Sequence, residues 1–467
     1  MTLSRFLALP LFAITAGMVF TPAAPAKSYL VKNQGGFEKA VKKAKPGDTI
    51  VLKSGTWKNT SFKLKASGQP GKPITVMPQA PGKVIITGQS NFKMGGEHLI
   101  VTGLMFKDGY TPSGEVVDFR ADSATYCMNC RFVNNVIMDY NKPNGEKDFW
   151  VVLRGKKNKV DHNYFAGKTN EGPAMTIRLD GDQNIENNHL IARNFFGYRR
   201  DLGRNGGETI RVGTSSHMTK TSGTKIAQNY FEQTNGESEI ISVKSRGNSI
   251  LENTFFESEG SVVMRHGGET IVARNVFFGG GLPKAGGIRV INDNQIVRGN
   301  YLEGVGGTAN RGALVVMNGV PNSPANRYAQ VSHADITGNS FYDIKQIGLG
   351  TGANSELTLA PASTVIGNNV IMTGGRDPLD IRSSLSGISF TGNQTDFSNA
   401  RTGISSTGVT VVRAANGLLY PVSGNAGAPR DINPVTRDNT GPKWFTKPAP
   451  VSAAKIAADV AAMKARR

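Results

Sequence analysis

Past its first few dozen residues the chain reads as short apolar runs rich in Val, Ile and Phe, broken every few positions by Gly, Asn or Asp. No stretch of the central region sustains a 3.6-residue hydrophobic period, so these runs predict strands, not helices. A longer order lies above them. Asn, then any residue, then an aromatic or aliphatic one recurs at Asn163-Tyr164-Phe165, Asn188-His189-Leu190, Asn229-Tyr230-Phe231, Asn253-Thr254-Phe255, Asn275-Val276-Phe277, Asn300-Tyr301-Leu302 and Asn339-Ser340-Phe341. The regular intervals are 25 residues from Asn163 to Asn188, then 24, 22 and 25 between Asn229 and Asn300. Longer intervals hold polar inserts such as Thr214 to Thr224. A repeat of roughly two dozen residues containing several short strands predicts one turn of a parallel β-helix, with Val, Ile, Leu and Phe stacked inward. Asn at a corner tolerates left-handed backbone angles, and its amide can bond to the Asn above and below. The 56 glycines suit the many bends.

The two ends read differently. Phe37 to Ala44 predicts a short amphipathic helix that covers the open end of the first coil, where strand edges would otherwise stand unpaired. Ala453 to Arg467 predicts a second helix after a Pro-rich stretch from Pro442 to Pro450. Arg5, the apolar run Phe6 to Phe20 and Ala24-Pro25-Ala26 read as a secretory leader, too short for a membrane span. The expected organisation is therefore a signal peptide at 1–26, one β-helical domain at 27–430 and a partly helical extension at 431–467. No later stretch is apolar enough to cross a bilayer, which places the protein in the periplasm or outside the cell, expected as a monomer.

The formal charge of +19 suits a polyanionic partner. Export favours an acidic glycan over nucleic acid, and no run of aromatic stacking residues suggests a nucleic-acid platform. The two cysteines, Cys127 and Cys130, are too few for a zinc site and predict a local bridge or two packed thiols. A basic residue flanked by apolar ones stands about nine to eleven residues before most Asn corners: Arg154, Arg178, Lys244, Arg265 and Arg289, with Arg211 in the coil that carries a longer insert. Strand alternation turns these outward as one ladder and puts Lys244 and Arg265 side by side, one coil apart. Upstream of Lys244 lies Asn235-Gly236-Glu237-Ser238-Glu239, and aligning Lys244 with Arg211 sets Asn205 beside Ser238. Two carboxylates and an amide oxygen suit a hard cation, although the glutamates can equally be read as neutralising the basic ladder. Glu239 and Lys244 are an odd number apart, so a turn is expected between them if both face one cleft.

Three runs carry a resemblance: Asn-Gly-Glu-Ser-Glu-Ile-Ile-Ser-Val-Lys-Ser (235 to 245), Val-Met-Arg-His-Gly (263 to 267) and the segment from Gly287 to Gly304. They resemble polysaccharide lyase family 6, which contains alginate lyases and chondroitinase B, and the likeness extends from about Phe37 to about Ala400. It implies a right-handed parallel β-helix that cleaves a uronate-containing glycan by β-elimination. It also implies Lys244 as general base, Arg265 as general acid, and Asn205, Glu237 and Glu239 as calcium ligands. His266 would lie in the cleft, with Arg178, Arg211 and Arg289 as substrate-binding candidates. Because the chain ends soon after one β-helix, the second β-helical domain of larger members is not expected. Alginate is the favoured substrate and dermatan sulfate the alternative. A glycoside hydrolase would need a pair of carboxylic groups flanking the bond, which the ladder lacks. A non-catalytic glycan-binding β-helix would keep the basic face but need no Lys, Arg and Glu together.

Overall fold

In the computed structural model, which describes residues 25–465, the strands stack into two 14-stranded sheets and one 13-stranded sheet, nearly all parallel, as in a parallel β-helix. Successive turns contribute one short strand to each sheet, so every rung repeats the same three-sided cross-section. Inward positions such as Val151, Met175, Ile210, Ile241, Val262, Ile288 and Leu314 pair in register up the second, front sheet and are fully buried. The expected leader, apart from Pro25 and Ala26, lies outside the described residues. Among the described residues no helix is long and apolar enough to cross a membrane.

The corner between the first and third sheets carries the amide ladder. Asn135, Asn163, Asn194, Asn229, Asn253, Asn275, Asn300, Asn339, Asn369 and Asn393 stand one above another, each donating from its backbone and side-chain nitrogens to the next Oδ1 at 2.8–3.2 Å. Asn188, counted above as a corner, is not in it. Asn194 takes that rung, and Asn188 is exposed on the preceding turn. The true intervals run from 22 to 39 residues, because inserts leave from other corners and the ladder does not sense them. Nor do the ladder residues take the left-handed angles expected of them. The preceding residue does: Asn134, His162, Arg193, Gln228, Glu252 and Arg274 all have φ between 53° and 58°. Two positions beyond the ladder, Phe165, Phe196, Phe231, Phe255 and Phe277 form a stack of rings with centroids 4.4–5.2 Å apart inside the core.

The open end of the first coil is covered. The helix Gln34–Lys43 starts at Asn33, whose side chain accepts from the Gly36 N–H at 2.9 Å, and sets Phe37 against Phe62 and Phe92 over the first coil. Beyond residue 430 the chain returns along the third sheet. Trp444 donates to the Asn134 carbonyl at 2.9 Å, Phe445 packs on Tyr164, and Gln233 bonds both backbone groups of Val451. The helix Ala453–Ala465 follows, with Tyr198 donating to Asp459 at 2.8 Å. Cys127 and Cys130 form a disulfide.

A second corner column, before the first sheet, contains the fully buried His189. It accepts from the Asn158 N–H at Nδ1, as Asn158 itself accepts from Cys130. Its Nε2, which then carries the proton, has no partner, and burial pushes the imidazole down to about 3. The unfolded chain therefore binds a proton below about pH 6.5 that the folded chain refuses, so stability is full above that pH and lost as pH falls toward 3. His189→Asn, which keeps an acceptor at that corner, should gain on the wild type by up to about 1.4 kcal/mol per pH unit across this window, read from urea unfolding at several pH values. In the amide ladder, Asn253→Ala strands several buried groups and should cost about 2–4 kcal/mol. Asn188→Gly, outside it, should stay within about 0.5 kcal/mol by the same assay.

Candidate active site

The basic residues leave the front sheet in two outward columns rather than one. Arg211 pairs with Ser242, which pairs with Val263 and then Arg289. Two positions further along each strand stand Arg154, Arg178, Gly213 and Lys244. Lys244 thus aligns with Gly213 and not with Arg211, and this two-residue correction moves everything upstream. Asn205 no longer falls beside Ser238. Its loop meets the Gly236 turn, where the Leu202 N–H donates to the Gly236 carbonyl at 3.0 Å.

Two irregularities shape the centre. Along strand Glu239–Lys244 the pairing slips between Glu239 and Ile241, so Ile240 and Ile241 are both buried in the core. This bulge resets the alternation and lets Glu239 and Lys244 face the same side without the turn expected between them. On the next strand, Ser261–His266, Val243 pairs with Met264 but Lys244 pairs with His266, leaving Arg265 as the extra residue. Lys244 and Arg265 are equally accessible, each side chain 19% exposed, and neither points inward. Lys244 Nζ lies 3.9 Å from Glu208, and Arg265 Nε lies 3.7 Å from Glu239.

Glu208 went unnoticed in the sequence. It stands two residues before Ile210 as Glu239 stands two before Ile241, and those isoleucines pair, so the two carboxylates occupy neighbouring rungs. The signal was present in Gly207-Glu208-Thr209-Ile210-Arg211, but the misplaced alignment hid it. Arg211 Nη1 approaches Glu208 to 3.7 Å, while Glu208 Oε2 is buried with no partner. Burial, and then the charges of Glu208 and Glu239, push the Glu237 carboxyl up to about 8 against the pull of Lys244 and Arg199. Three carboxylates crowded to this extent, one with an orphaned oxygen, suit a hard cation. Among the described residues no group of three or more His, Cys, Asp or Glu closes a metal cage by itself, so Asn205, water or a bound carboxylate would have to complete it.

The remaining positions divide. His266 is buried, within hydrogen-bond reach of Ser215 Oγ at 3.1 Å, and burial with Arg265 and Lys244 nearby pushes it down to about 4, which keeps it neutral at pH 7. Ser215 comes from the 214–224 insert, which folds over the face as one wall. Arg289 is 2% exposed, donates to the Asn310 carbonyl at 3.0 Å and lies 3.6 Å from Glu239. It is therefore a buried counter-ion and not a group on the cleft surface. Arg154 is held by Asp118 at 2.9 Å and Glu115 at 3.6 Å. Arg178 and Arg211 keep their outward place, their guanidiniums 5.1 and 5.9 Å from the Phe149 ring centre. Opposite the 214–224 wall, a second insert brings Tyr328 over Arg265, with the guanidinium 4.0 Å from its ring centre. Tyr328 rests on a small apolar cluster of Val263, Ile291, Val315, Met317 and Leu357.

The family model described as Chondroitinase B matches residues 31–434. Among solved structures, the PL6 family alginate lyase AlyGC is 44% identical with a TM-score of 0.90 over 91% of this chain. The match spans 60% of the AlyGC chain, so this protein corresponds to part of that one's length. A mannuronic acid specific polysaccharide family 6 lyase from human gut microbiota is 30% identical, with a TM-score of 0.76 over 94% of this chain and 100% of that one. No curated protein matches the sequence.

Proposed function

This chain belongs to the chondroitinase B family, polysaccharide lyase family 6, and from that membership we propose that it is a lyase cleaving alginate by β-elimination, with Lys244 as base and Arg265 as acid. The observation that carries the reading is the meeting of Lys244 and Arg265 on one outward face, against a cluster of carboxylates and between two insert walls. A binding module would need the positive face alone.

Elimination from a uronate breaks the C5–H and C4–O4 bonds and leaves a double bond between C4 and C5. Lys244, as the neutral amine, takes the C5 proton into its lone pair. Arg265 serves the departing O4, holding its donors on the oxygen, stabilising the charge there and giving it the proton it takes up, which solvent water then returns to the guanidinium. A guanidinium yields a proton reluctantly, and the Glu239 carboxylate and the Tyr328 ring fix its orientation toward the leaving group. His266, neutral and held at Ser215, adds polar contact in the cleft without adding charge. Arg178 and Arg211 line the same face and suit the carboxylates of neighbouring sugars.

Asn205, Glu237 and Glu239 are the side chains that would hold a calcium ion, and Glu208 joins them. The chemistry such an ion would supply when bound is neutralisation of the substrate carboxylate, which would make the C5 hydrogen easier to remove. The leader-like residues 1–26, the disulfide and the basic charge support action in the periplasm or outside the cell. The relatives' names favour alginate, and mannuronate-rich blocks within it. The family model's description keeps dermatan sulfate as a second reading.

Purified protein mixed with polymannuronate, polyguluronate or dermatan sulfate should release a product with the ultraviolet absorbance of a conjugated uronate, fastest on polymannuronate. Lys244→Ala should lower that rate by about 10²–10⁴-fold while keeping the wild-type circular dichroism. Binding of alginate with no absorbing product from the wild type would reduce the protein to a glycan-binding module. Separately, exhaustive chelation should suppress the rate and added calcium restore it. Full activity after chelation would mean that the glutamates act through charge alone.

A further inference from the structure

The side chain beneath the carboxylate cluster is Arg199, 3% exposed and absent from every motif singled out above. Its two terminal nitrogens donate to backbone carbonyls, Nη1 to Glu208 at 2.6 Å and Nη2 to Asn170 at 3.1 Å, Gly172 at 2.9 Å and Gly206 at 3.2 Å, while Nε is buried without a hydrogen-bond partner among the described residues. Its own carbonyl accepts from the Asn235 N–H at 2.9 Å, and its N–H donates to Gln233 at 3.2 Å. One residue therefore ties the 170–172, 206–208 and 233–235 segments, which belong to three successive turns.

The packing leaves no slack. A Cβ on Gly207 would stand 2.2 Å from the Gly236 carbonyl oxygen, and one on Gly236 would meet the Gly207 oxygen at 2.2 Å and Arg199 Cδ at 2.8 Å. The two glycines let the neighbouring turns close over the guanidinium. These turns carry Asn205 and Glu208 on one rung and Glu237 on the next, so the backbone that Arg199 fixes is the backbone that spaces the oxygen ligands. Nearby, the buried Lys168 ammonium is satisfied by Asp148 and by Asn170 Oδ1 at 2.5 Å, which secures the 170–172 segment from the other side.

We infer that Arg199 is a positioning residue for the cation site: its planar fork, bonded to carbonyls on adjacent turns, holds Asn205, Glu208 and Glu237 at the spacing an oxygen-ligated divalent ion requires. This rests on the calcium reading given under Proposed function. Two effects of Arg199 oppose each other. As a buried positive charge it repels an incoming cation, and as a clamp it removes the cost of ordering two loops around one. Four guanidinium bonds to backbone carbonyls at 2.6–3.2 Å, in a site where water does not reach the guanidinium, make the clamp the larger effect.

Arg199→Lys and Arg199→Met separate the two. Lysine keeps the charge but loses the fork, and methionine loses both. Calcium is titrated by calorimetry into the chelator-stripped full-length protein and each variant, with circular dichroism reporting the fold. Calcium affinity at least tenfold weaker in Arg199→Lys, with dichroism unchanged, supports the clamp. Affinity equal to wild type in a folded Arg199→Lys, or tighter in a folded Arg199→Met, overturns it in favour of a charge effect. If neither variant folds, Arg199 is a structural residue and the inference also falls. A wild type that binds no calcium refutes the metal reading itself, and this inference with it.

Discussion

Parallel strands stacked at a fixed rung height of about 4.8 Å force every polar group at a corner to find its partner directly above or below. In this protein that constraint is met by amides: from Asn135 to Asn393 the Asn at this corner of each turn donates twice to the next. The ladder fixes the register of all three sheets at once, because a one-residue slip on any turn would bury a charge and expose a valine. The freedom to insert loops elsewhere follows from it. Intervals of 22 and 39 residues coexist without disturbing the stack, since the extra length leaves at corners the ladder does not occupy. Both walls around Lys244 and Arg265 arise from such inserts, one bearing Ser215 and the other Tyr328.

The repeat was legible in the sequence because it is a chemical necessity repeated ten times. Its misreading at Asn188 is instructive. The pattern of Asn, any residue, apolar residue appears by chance one corner too early, and single-sequence spacing cannot tell a bonded Asn from an exposed one. Register suffered the same way. Lys244 and Arg211 look equivalent once the longer insert of the Arg211 coil is set aside, yet the strands pair Arg211 with Ser242, because spacing alone does not say how many residues that insert removes from the count. Bulges leave no mark that a period-two pattern can read, and two of them lie on the strands that carry Lys244 and Arg265. The resemblance of the 235–245 and 263–267 runs pointed to these residues where spacing alone could not. Glu208 and Arg199 lay outside those runs and became visible only through contact.

Electrostatically the site contrasts with the rest of the molecule. A chain with a formal excess of nineteen positive charges gathers three carboxylates into one partly buried pocket. Like charges brought together away from water are unfavourable unless something opposes them. The opposing charges here are graded by depth: Arg199 and Arg289 below, Arg211 at the side, Lys244 and Arg265 at the mouth. The deep pair is spent on structure, and the outer pair remains accessible to a ligand. Arg289 shows that a basic residue in the right column can be turned to structure, since it is buried with its Nε bonded to the Asn310 carbonyl and its Nη1 3.6 Å from Glu239.

That gradation also explains why a rigid coil is a suitable scaffold for proton abstraction from a weakly acidic carbon. A base and an acid must hold their separation while charge moves between them, and neither Lys244 nor Arg265 sits on a loop. Lys244 ends one strand and Arg265 bulges from the next, so their spacing is set by hydrogen bonds of the sheet and not by side-chain packing. Loops contribute only what can tolerate small movements: the hydroxyl that meets His266 and the ring that covers Arg265. The carboxylate cluster is the exception, because Glu208 and Glu237 lie on turns and Glu239 only begins its strand. It is there that the fold places a buried guanidinium bonded to the backbone of adjacent rungs, giving the turns the rigidity that strand pairing gives the reactive pair.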